Sequence, residues 1–380
     1  MILHIGTSKT GSTSLQRAFE SNLDLLRAEG IYYPASRTGV AFGMELYSLM
    51  SKEIMSIHKQ ESRDAINDLR KIKESVTSAA IHDFDRSGCT RMILSDERFY
   101  GGFDLLRFYI WGYAKNGREK GSFKEFLSLE KLFTEIWIEL KHLLKDFDIK
   151  VVCYLRRQDL WIESAYNQMI KENGVAPLLE CRKYREFMIE SNNNPLPEVE
   201  NGYFNDYMIY RFKKTCYYEN ICALAEIFGK ENIMIKPFEK KQFKQSLVKD
   251  FLISVLKINE EKVLAVEEWH NNKGLSRDMI EYLINHQPAQ RWDTNNLYEI
   301  ERKLNRDREN LYNQYFTVPE RIRFLRYHKE GNERIASEFL NREDGMLFYE
   351  EIEKQDNYPG LSDETKSFLD EEFLKTSRKR

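Results

Sequence analysis

The sequence predicts an α/β fold, in which a central parallel sheet carries helices on both faces and the C-terminal part is largely helical. Short apolar runs of strand length recur between residues 2 and 236, and amphipathic segments with helical periodicity separate them. Strands that alternate with helices are typical of a parallel sheet. Beyond residue 275 the sequence is charged and has helical periodicity.

Four stretches have the length and composition of strands, and a fifth is extended. Ile2–Ile5, Cys89–Ser95 and Ile149–Leu155 are apolar runs of the kind that helices cover on both faces of a parallel sheet. Asn232–Lys236 is a further short run, and Gly30–Pro34 is a brief extended segment. We therefore expect four strands and one brief extended segment.

Apolar residues at spacings of three and four predict the helices between these strands. Arginine-rich runs at 302–308 and 321–326 are typical of solvated helix faces. The first predicted helix begins at Leu15, one or two lie within 44–83, and another spans 123–145. A further helix follows residue 157, one ends before Gly229, and one spans Gln242–Leu256. The chain beyond residue 275 is again helical.

These elements indicate one α/β domain over residues 1–290, with helical insertions at about 40–85, 100–145 and 172–205. Residues 291–380 would form a charged helical extension packed on that domain. The aromatic and arginine-rich helices of this extension are the expected interface if the chain forms a homo-oligomer.

Composition excludes several classes of protein. The 58 basic and 61 acidic residues give a net charge of −3, so no global basic field indicates a nucleic-acid partner. A hydrophobic fraction of 42% excludes a mainly disordered chain. No apolar run approaches the roughly 18 residues of a membrane span, and no leader precedes the first strand. The five scattered cysteines predict no metal site and favour a reducing compartment, so we expect a cytoplasmic protein.

Residues 6–14 form a loop of small side chains between the first strand and the first helix. Gly6 and Gly11 allow close backbone approach to a ligand, and Lys9 adds a positive charge. Strand, loop and helix in this order aim backbone N–H groups at a phosphate. Lys9 stands two residues before Gly11, so the loop is not a Walker A loop, in which lysine directly follows the second glycine. The structural alternative is an ordinary turn before a helix.

A second motif follows the run that ends at Leu155. Arg156 ends the strand, and Ser164 lies eight positions later, about two turns into the next helix. A guanidinium and a hydroxyl placed in this way can grip one phosphate. The structural alternative is that Arg156 and Arg157 form ion pairs with Asp159 and Glu163.

Carboxyl ends of parallel strands share one edge of the sheet, so we expect the loop at 6–14, Ser95–Glu97 and Arg156 to gather there. Together the two motifs resemble those of the sulfotransferases, whose donor is 3′-phosphoadenosine 5′-phosphosulfate (PAPS). The resemblance covers roughly residues 1–290 and implies the P-loop NTPase-like sulfotransferase fold. Stretches similar to the bacterial carbohydrate-type members are Tyr203–Tyr207, Phe228–Glu239 and Asn271–Ser276.

The resemblance assigns roles to individual residues. Arg156 and Ser164 would bind the 3′-phosphate. Family members often carry an Arg-Lys-Gly element that also touches this phosphate; here only Lys273-Gly274 is similar, preceded by Asn272, so Lys273 is a further candidate contact. The 5′-phosphosulfate would be held by Lys9, Thr10, Gly11, Ser12, Thr13 and Ser14.

Sulfuryl transfer would be catalysed by positioning and electrostatics, with no metal required. Lys9 would neutralise the bridging oxygen of the departing nucleotide. Glu97 is the expected general base, because carbohydrate-type members often place a glutamate after the corresponding strand. A Glu97–Arg98 surface pair is the structural alternative. Further candidate bases are His58, His82 and His270.

The sequence thus predicts a sulfotransferase that moves the sulfuryl group from PAPS to a hydroxyl of a carbohydrate-type acceptor (a glycolipid, a polysaccharide or a small metabolite) and releases adenosine 3′,5′-bisphosphate (PAP). One rival is a nucleotide-dependent phosphotransferase, or kinase, with an atypical P-loop, for which Asp96 is the candidate magnesium ligand. The other rival is a non-catalytic nucleotide-binding interaction protein.

Overall fold

A computed structural model describes most of the chain, with internal gaps. The predicted insertion at 172–205 falls almost entirely outside the described part, as does the insertion at 100–145 up to residue 133. The described residues are 1–7, 9–34, 42–58, 60–101, 134–173, 214–266, 274–286, 294–305, 315–352 and 358–377.

Five parallel strands form a sheet with the order β2-β3-β1-β4-β5, which confirms the predicted fold class. The central strand β1 pairs with β3 through Leu3 and Leu94 and with β4 through Leu3 and Val151. The strands are β1 Ile2–His4, β2 Ile31–Tyr32, β3 Arg91–Ser95, β4 Lys150–Leu155 and β5 Ile233–Pro237.

Helices connect and cover the strands. They are α1 Ser12–Ser21, α2 Leu23–Ala28, α3 Phe42–His58, α4 Arg63–Ser87, α5 Arg98–Gly101, α6 at 134–143, α7 Gln158–Asn173, α8 Tyr217–Phe228, α9 Leu247–Asp250, α10 Glu260–Val263, α11 Arg277–His286, α12 Thr294–Leu304, α13 Val318–Leu340 and α14 Asp363–Ser377. None of these described helices is long and apolar enough to cross a membrane.

Strand β4 shows why the sheet is covered on both faces. Residues 151–155 are all fully buried, although successive side chains of a strand point to opposite faces. On one face, Val152 and Tyr154 join a core that contains Leu15 and Phe19 of α1 and Phe251. Both faces of β4 are therefore covered, as a parallel sheet requires.

One predicted helix is wrong at its start. The helix expected from Gln242 begins only at Leu247, because Gln245 has a left-handed backbone (φ 68°) that no helix can include. Ser246 then caps α9, its Oγ accepting from the N–H of Lys249 at 3.2 Å. The chain continues as a π-helical turn, Phe251–Val255.

The chain divides into two compact units, and each unit is built from three separate segments of the sequence. The predicted boundary at residue 290 lies outside the described residues. The unit that contains the strands, here the sheet unit, comprises Met1–Arg157, Val199–His270 and Glu330–Tyr349; the helical unit comprises Gln158–Glu198, Asn271–Lys329 and Glu350–Arg380.

A buried ion-pair cluster holds the helical unit together. Arg321 is 2% exposed, although it belongs to a run predicted to be a solvated face, so that prediction is wrong at this residue. Its guanidinium donates to Asp159 Oδ2 at 3.1 Å, to Glu163 and to the carbonyl of Phe316 at 3.2 Å. Glu163 also accepts from the N–H of Tyr315. Burial of the arginine follows from this complete pairing.

Candidate functional site

The loop after β1 leaves the centre of the sheet at its carboxyl edge. From β1 the chain passes to β2 on one side, and from β4 it passes to β5 on the other side. The strand order therefore reverses between β1 and β4. In open α/β sheets ligands bind in the crevice beyond the carboxyl ends of such strands.

Both glycines of the loop occupy positions that exclude a side chain. Gly11 is the N-cap of α1 and has a left-handed backbone (φ 76°), and a Cβ there would overlap the side chain of Leu247. A Cβ on Gly6 would lie 3.0 Å from Thr10 Oγ1 and 3.3 Å from the backbone nitrogen of Tyr154. The loop backbone therefore packs tightly against the side chains of Leu247 and Thr10 and the backbone of Tyr154.

Internal hydrogen bonds fix the shape of the loop. The N–H and the hydroxyl of Thr7 both donate to the carbonyl of Tyr154, at 3.1 and 3.2 Å. The hydroxyl of Thr10, fully buried, donates to the carbonyl of Thr7. Lys9 stands between them, half-buried and with a left-handed backbone (φ 68°). The Thr10 side chain therefore stabilises the loop.

Helix α1 begins with its positive end open. Ser12, Thr13 and Ser14 are its first three residues, and their N–H groups precede the first intrahelical bond, which runs from Leu15 N to Gly11 O at 3.0 Å. No side chain caps this end, and the first turn contains no acidic residue. An uncapped helix start favours an anionic ligand.

Glu97 approaches this helix start from the end of the neighbouring strand β3. Its carboxylate accepts a hydrogen bond from the hydroxyl of Ser12, which is 3% exposed. Burial, and then the nearby Asp96, raise the pKa of Glu97 to about 7, although Lys9 and Lys214 act in the opposite direction. A carboxyl with such a pKa exchanges a proton readily near neutral pH.

Asp96 and Arg98 flank Glu97 and pair with each other. Asp96 Oδ1 accepts from the backbone N–H and from Nε of Arg98, both at 2.9 Å, and Oδ2 accepts from Nη2 at 2.6 Å. Arg98, the residue that the structural alternative pairs with Glu97, thus forms a fork with Asp96, and its charge also lowers the pKa of Glu97. Both oxygens of the candidate magnesium ligand are already hydrogen-bonded.

Arg156 reaches the loop from the opposite side, at the end of β4. Its Nη1 donates to the carbonyl of Lys9 at 3.0 Å, and its guanidinium lies over the ring of Phe238, 5.6 Å from the centroid. The hydroxyl of Tyr217 donates to the Arg156 carbonyl at 2.6 Å. Arg156 is therefore held at the crevice by contacts from the loop, β5 and α8.

The sequence analysis missed Lys214, which the structure brings near Glu97. Lys214 is 9% exposed and precedes α8, and its charge lowers the pKa of Glu97. Only its charge distinguishes it in the sequence, where it follows another lysine. The cations near the Ser12–Glu97 pair thus come from the loop and from the segment before α8.

No contact among the described residues joins Ser164 or His82 to this group. Ser164 lies on α7, in the helical unit, and is half-buried. Lys273 and His270 lie outside the described residues, as does the side chain of His58. His82 lies near the C-terminal end of α4, where Phe84 contacts Phe147 just before β4, so it belongs to the amino edge of the sheet.

His4 lies in the core beneath the loop. Its Nδ1 is 2.9 Å from Ser95 Oγ, and its ring packs edge-on against Tyr154 and Phe251. Burial lowers its pKa to about 4. His4 therefore stays neutral near neutral pH and packs as a core residue.

Comparison with known proteins gives one relative and no family. The chain is similar to a protein of Archaeoglobus fulgidus described as uncharacterized, with 30% identity over 219 residues. This alignment covers 55% of the chain, and the chain spans about half (52%) of that relative. Neither a family model nor a solved structure matches the chain.

Proposed function

We propose that the protein is a sulfotransferase that moves the sulfuryl group of PAPS to a hydroxyl of a carbohydrate-type acceptor. The observation that carries this proposal is the arrangement around Lys9. Glu97 contacts Ser12 on one side of the loop, and Arg156 contacts the Lys9 carbonyl on the other. A base and an anion-binding arginine thus flank a loop suited to a phosphosulfate.

The residues of the sheet unit fit such a donor. The start of α1 lacks a side-chain cap, and its first turn contains no acidic residue. The N–H groups of Ser12, Thr13 and Ser14 would hold the 5′-phosphosulfate, and Lys9 would balance its charge. Arg156 would bind the 3′-phosphate; the assignment of Ser164 to the same group stays the prediction made from the sequence.

Each catalytic residue would have one task. The donor supplies the sulfuryl group and a good leaving group. Glu97 would take the proton from the acceptor hydroxyl as its oxygen bonds to sulfur, and Lys9 would neutralise the oxygen that leaves sulfur. The pKa of Glu97, about 7, suits a base that works near neutral pH.

Calorimetric titration with PAP in the absence of magnesium tests the donor site. We expect wild-type binding, and a loss of tenfold or more in Arg156→Ala, because a phosphate would lose its guanidinium partner. Lys9→Ala should lower turnover by a factor of about 10² or more while binding falls less. Arg63→Ala, an exposed change at the start of α4, is the matched control and should bind as wild type.

The same titration separates the rivals. Binding of ATP with magnesium, and none of PAP, would reject the proposal in favour of a phosphotransferase. The fork between Asp96 and Arg98 argues against that outcome, because it engages both oxygens of the candidate magnesium ligand. Tight PAP binding without transfer to any sugar hydroxyl would indicate a non-catalytic protein.

A further inference from the structure

Helix α1 contacts the end of strand β3 through two polar side chains. The hydroxyl of Ser12 donates to the carboxylate of Glu97, and Nε2 of Gln16 donates to the carbonyl of Ser95 at 3.1 Å. Ser12 and Gln16 are four residues apart and therefore share one face of the helix. The helix that begins at the loop is thus fixed to the strand end that precedes the candidate base.

The Ser12 hydroxyl is committed to this carboxylate. A serine hydroxyl has a single proton to donate, so it cannot donate to Glu97 and to a bound anion at the same time. The Ser12 residue is also only 3% exposed. Its backbone N–H, in contrast, precedes the first intrahelical bond of α1 and has no partner within the helix. The hydroxyl and the N–H of Ser12 can therefore serve different groups.

Only one oxygen of the Glu97 carboxylate is engaged. Oε2 accepts from Ser12, whereas no group of the described residues donates to Oε1. The main chain of Glu97 is held separately, because its carbonyl accepts from the N–H of Tyr100 at 3.2 Å. Ser12 thus orients the carboxylate of a residue whose main chain is already fixed, and Oε1 keeps its lone pairs for another partner.

We propose that Ser12 positions the general base: its hydroxyl holds Oε2 of Glu97, so that Oε1 receives the proton of the acceptor hydroxyl. As that proton moves to Oε1, the acceptor oxygen bonds to sulfur, and the bond from sulfur to the 5′-phosphate oxygen breaks. Because the N–H of the same serine would hold the phosphosulfate, one residue would fix the base relative to the reacting sulfur. This inference rests on the proposed function, since Glu97 is a base only there.

Charged groups around the Glu97 carboxylate also act on its ionisation. Burial and the charge of Asp96 raise its pKa, whereas Lys9, Lys214 and Arg98 lower it. A hydrogen bond to the ionised carboxylate lowers the pKa as well, so loss of the Ser12 hydroxyl should raise it. The base would then be ionised only at higher pH.

The test measures sulfuryl transfer from PAPS to a panel of methyl glycosides as a function of pH, together with calorimetric binding of PAP. Ser12→Ala should lower kcat by about tenfold to a hundredfold, because the base is no longer aligned. As the solution is acidified, its kcat should also decline at a higher pH than that of wild type. PAP affinity should stay within about threefold, since the N–H groups at the start of α1 remain.

Three further variants sharpen this test. Ser12→Thr, which keeps a hydroxyl, should recover most of kcat and the wild-type pH profile. Ser21→Ala, an exposed serine at the other end of α1, is the control and should change neither. In the Glu97→Gln background, Ser12→Ala should cause no further loss of kcat, because both changes act on the same group. A serine that only stabilised the fold would not show this dependence on Glu97.

The outcomes separate this inference from the proposed function. If wild type does not bind PAP or transfers to none of the glycosides, or if Glu97→Gln keeps the wild-type kcat, the proposed function fails. If wild type and Glu97→Gln behave as expected but Ser12→Ala keeps the wild-type kcat and pH profile, only the role of Ser12 is rejected.

Two other results would also reject the role of Ser12. One is a fall in PAP affinity of about tenfold or more in Ser12→Ala with kcat unchanged, because the hydroxyl then serves the donor. The other applies if Ser12→Ala does not fold, when Ser12→Cys decides, since a thiol is a weak donor. An unchanged kcat and pH profile in Ser12→Cys rejects the role.

Discussion

Two charged clusters, one in each unit, differ in how their charges are balanced. In the helical unit, Arg321 is 2% exposed and pairs with Asp159 and Glu163. Glu163 also accepts a hydrogen bond from the N–H of Tyr315. In the sheet unit, the start of α1 has no side-chain cap, and Glu97 has a pKa far above its usual range. Burial raises the pKa of Glu163 as well, so the raised pKa of Glu97 does not by itself separate the two clusters. A cluster whose charges pair with one another is structural, whereas one beside an uncapped helix start is suited to a ligand.

Removal of Arg321 is the strongest test of this distinction. Arg321→Ala should lower the free energy of unfolding by about 3–5 kcal/mol, because two buried carboxylates lose their partner. Arg326→Ala, an exposed arginine on the same helix, should change it by less than about 0.5 kcal/mol. Denaturant unfolding measures both, and equal values would mean that the buried cluster does not stabilise the unit.

Replacement of Glu97 should raise the free energy of unfolding, whereas replacement of Arg321 should lower it. Its folded-state pKa lies above the unfolded value, so the wild type loses stability as pH rises from about 4.5 to about 7. Glu97→Gln, which cannot ionise, should be more stable than wild type by at most about 3 kcal/mol at pH 8 and by little at pH 4.5. Transfer activity should fall at both pH values. A difference in stability that does not depend on pH would contradict this assignment.

Each unit contains a buried histidine, and we expect both histidines to lower the free energy of unfolding by a similar amount in acid. Burial lowers the pKa of His328, on the helix of Arg321, to about 3, and that of His4, under the loop, to about 4. Below pH 6.5 these histidines are protonated in the unfolded chain but not in the folded chain. As the pH falls, each should therefore lower the free energy of unfolding by about 1.4 kcal/mol per pH unit. His328→Gln and His4→Gln should each remove one such contribution from the slope between pH 6.5 and 4.5. An unchanged slope would show that the imidazole is protonated in the folded protein.

The smallest expected effect concerns the backbone of Lys9. Its left-handed conformation costs about 1–2 kcal/mol for a residue with a Cβ, and glycine avoids that cost at the expense of a more flexible unfolded chain. Lys9→Gly should therefore raise the free energy of unfolding by up to about 1 kcal/mol relative to Lys9→Ala, while both variants lose activity. If Lys9→Gly is the less stable of the two, the backbone of the loop is not strained.

The sequence was sufficient for most of the fold because strands and helices are set by local patterns. Buried strands such as β4 are apolar along their whole length, and the amphipathic period marked the helices on either side. The predicted start at Gln242 was wrong because a left-handed Gln245 depends on tertiary packing, which no periodicity reveals. The burial of Arg321 depends on Asp159, 162 positions away in the chain.

The candidate site was predictable to the same extent. Lys9, Glu97 and Arg156 each follow a strand, so their common edge could be expected from alternation of strands and helices alone. The contact between Ser12 and Glu97 could not, because it depends on β1 and β3 being neighbours in the sheet. Lys214 had no signal beyond its charge.

The contacts of Arg156 have a consequence for the thermodynamics of association. A freely rotating arginine side chain carries about 2 kcal/mol of rotamer entropy, which a ligand must otherwise remove when it binds. Here the Lys9 carbonyl and the Phe238 ring already restrict the guanidinium of this residue. An anion that reaches the crevice therefore meets a preorganised partner, and its binding should carry a smaller unfavourable entropy than binding to a mobile surface arginine.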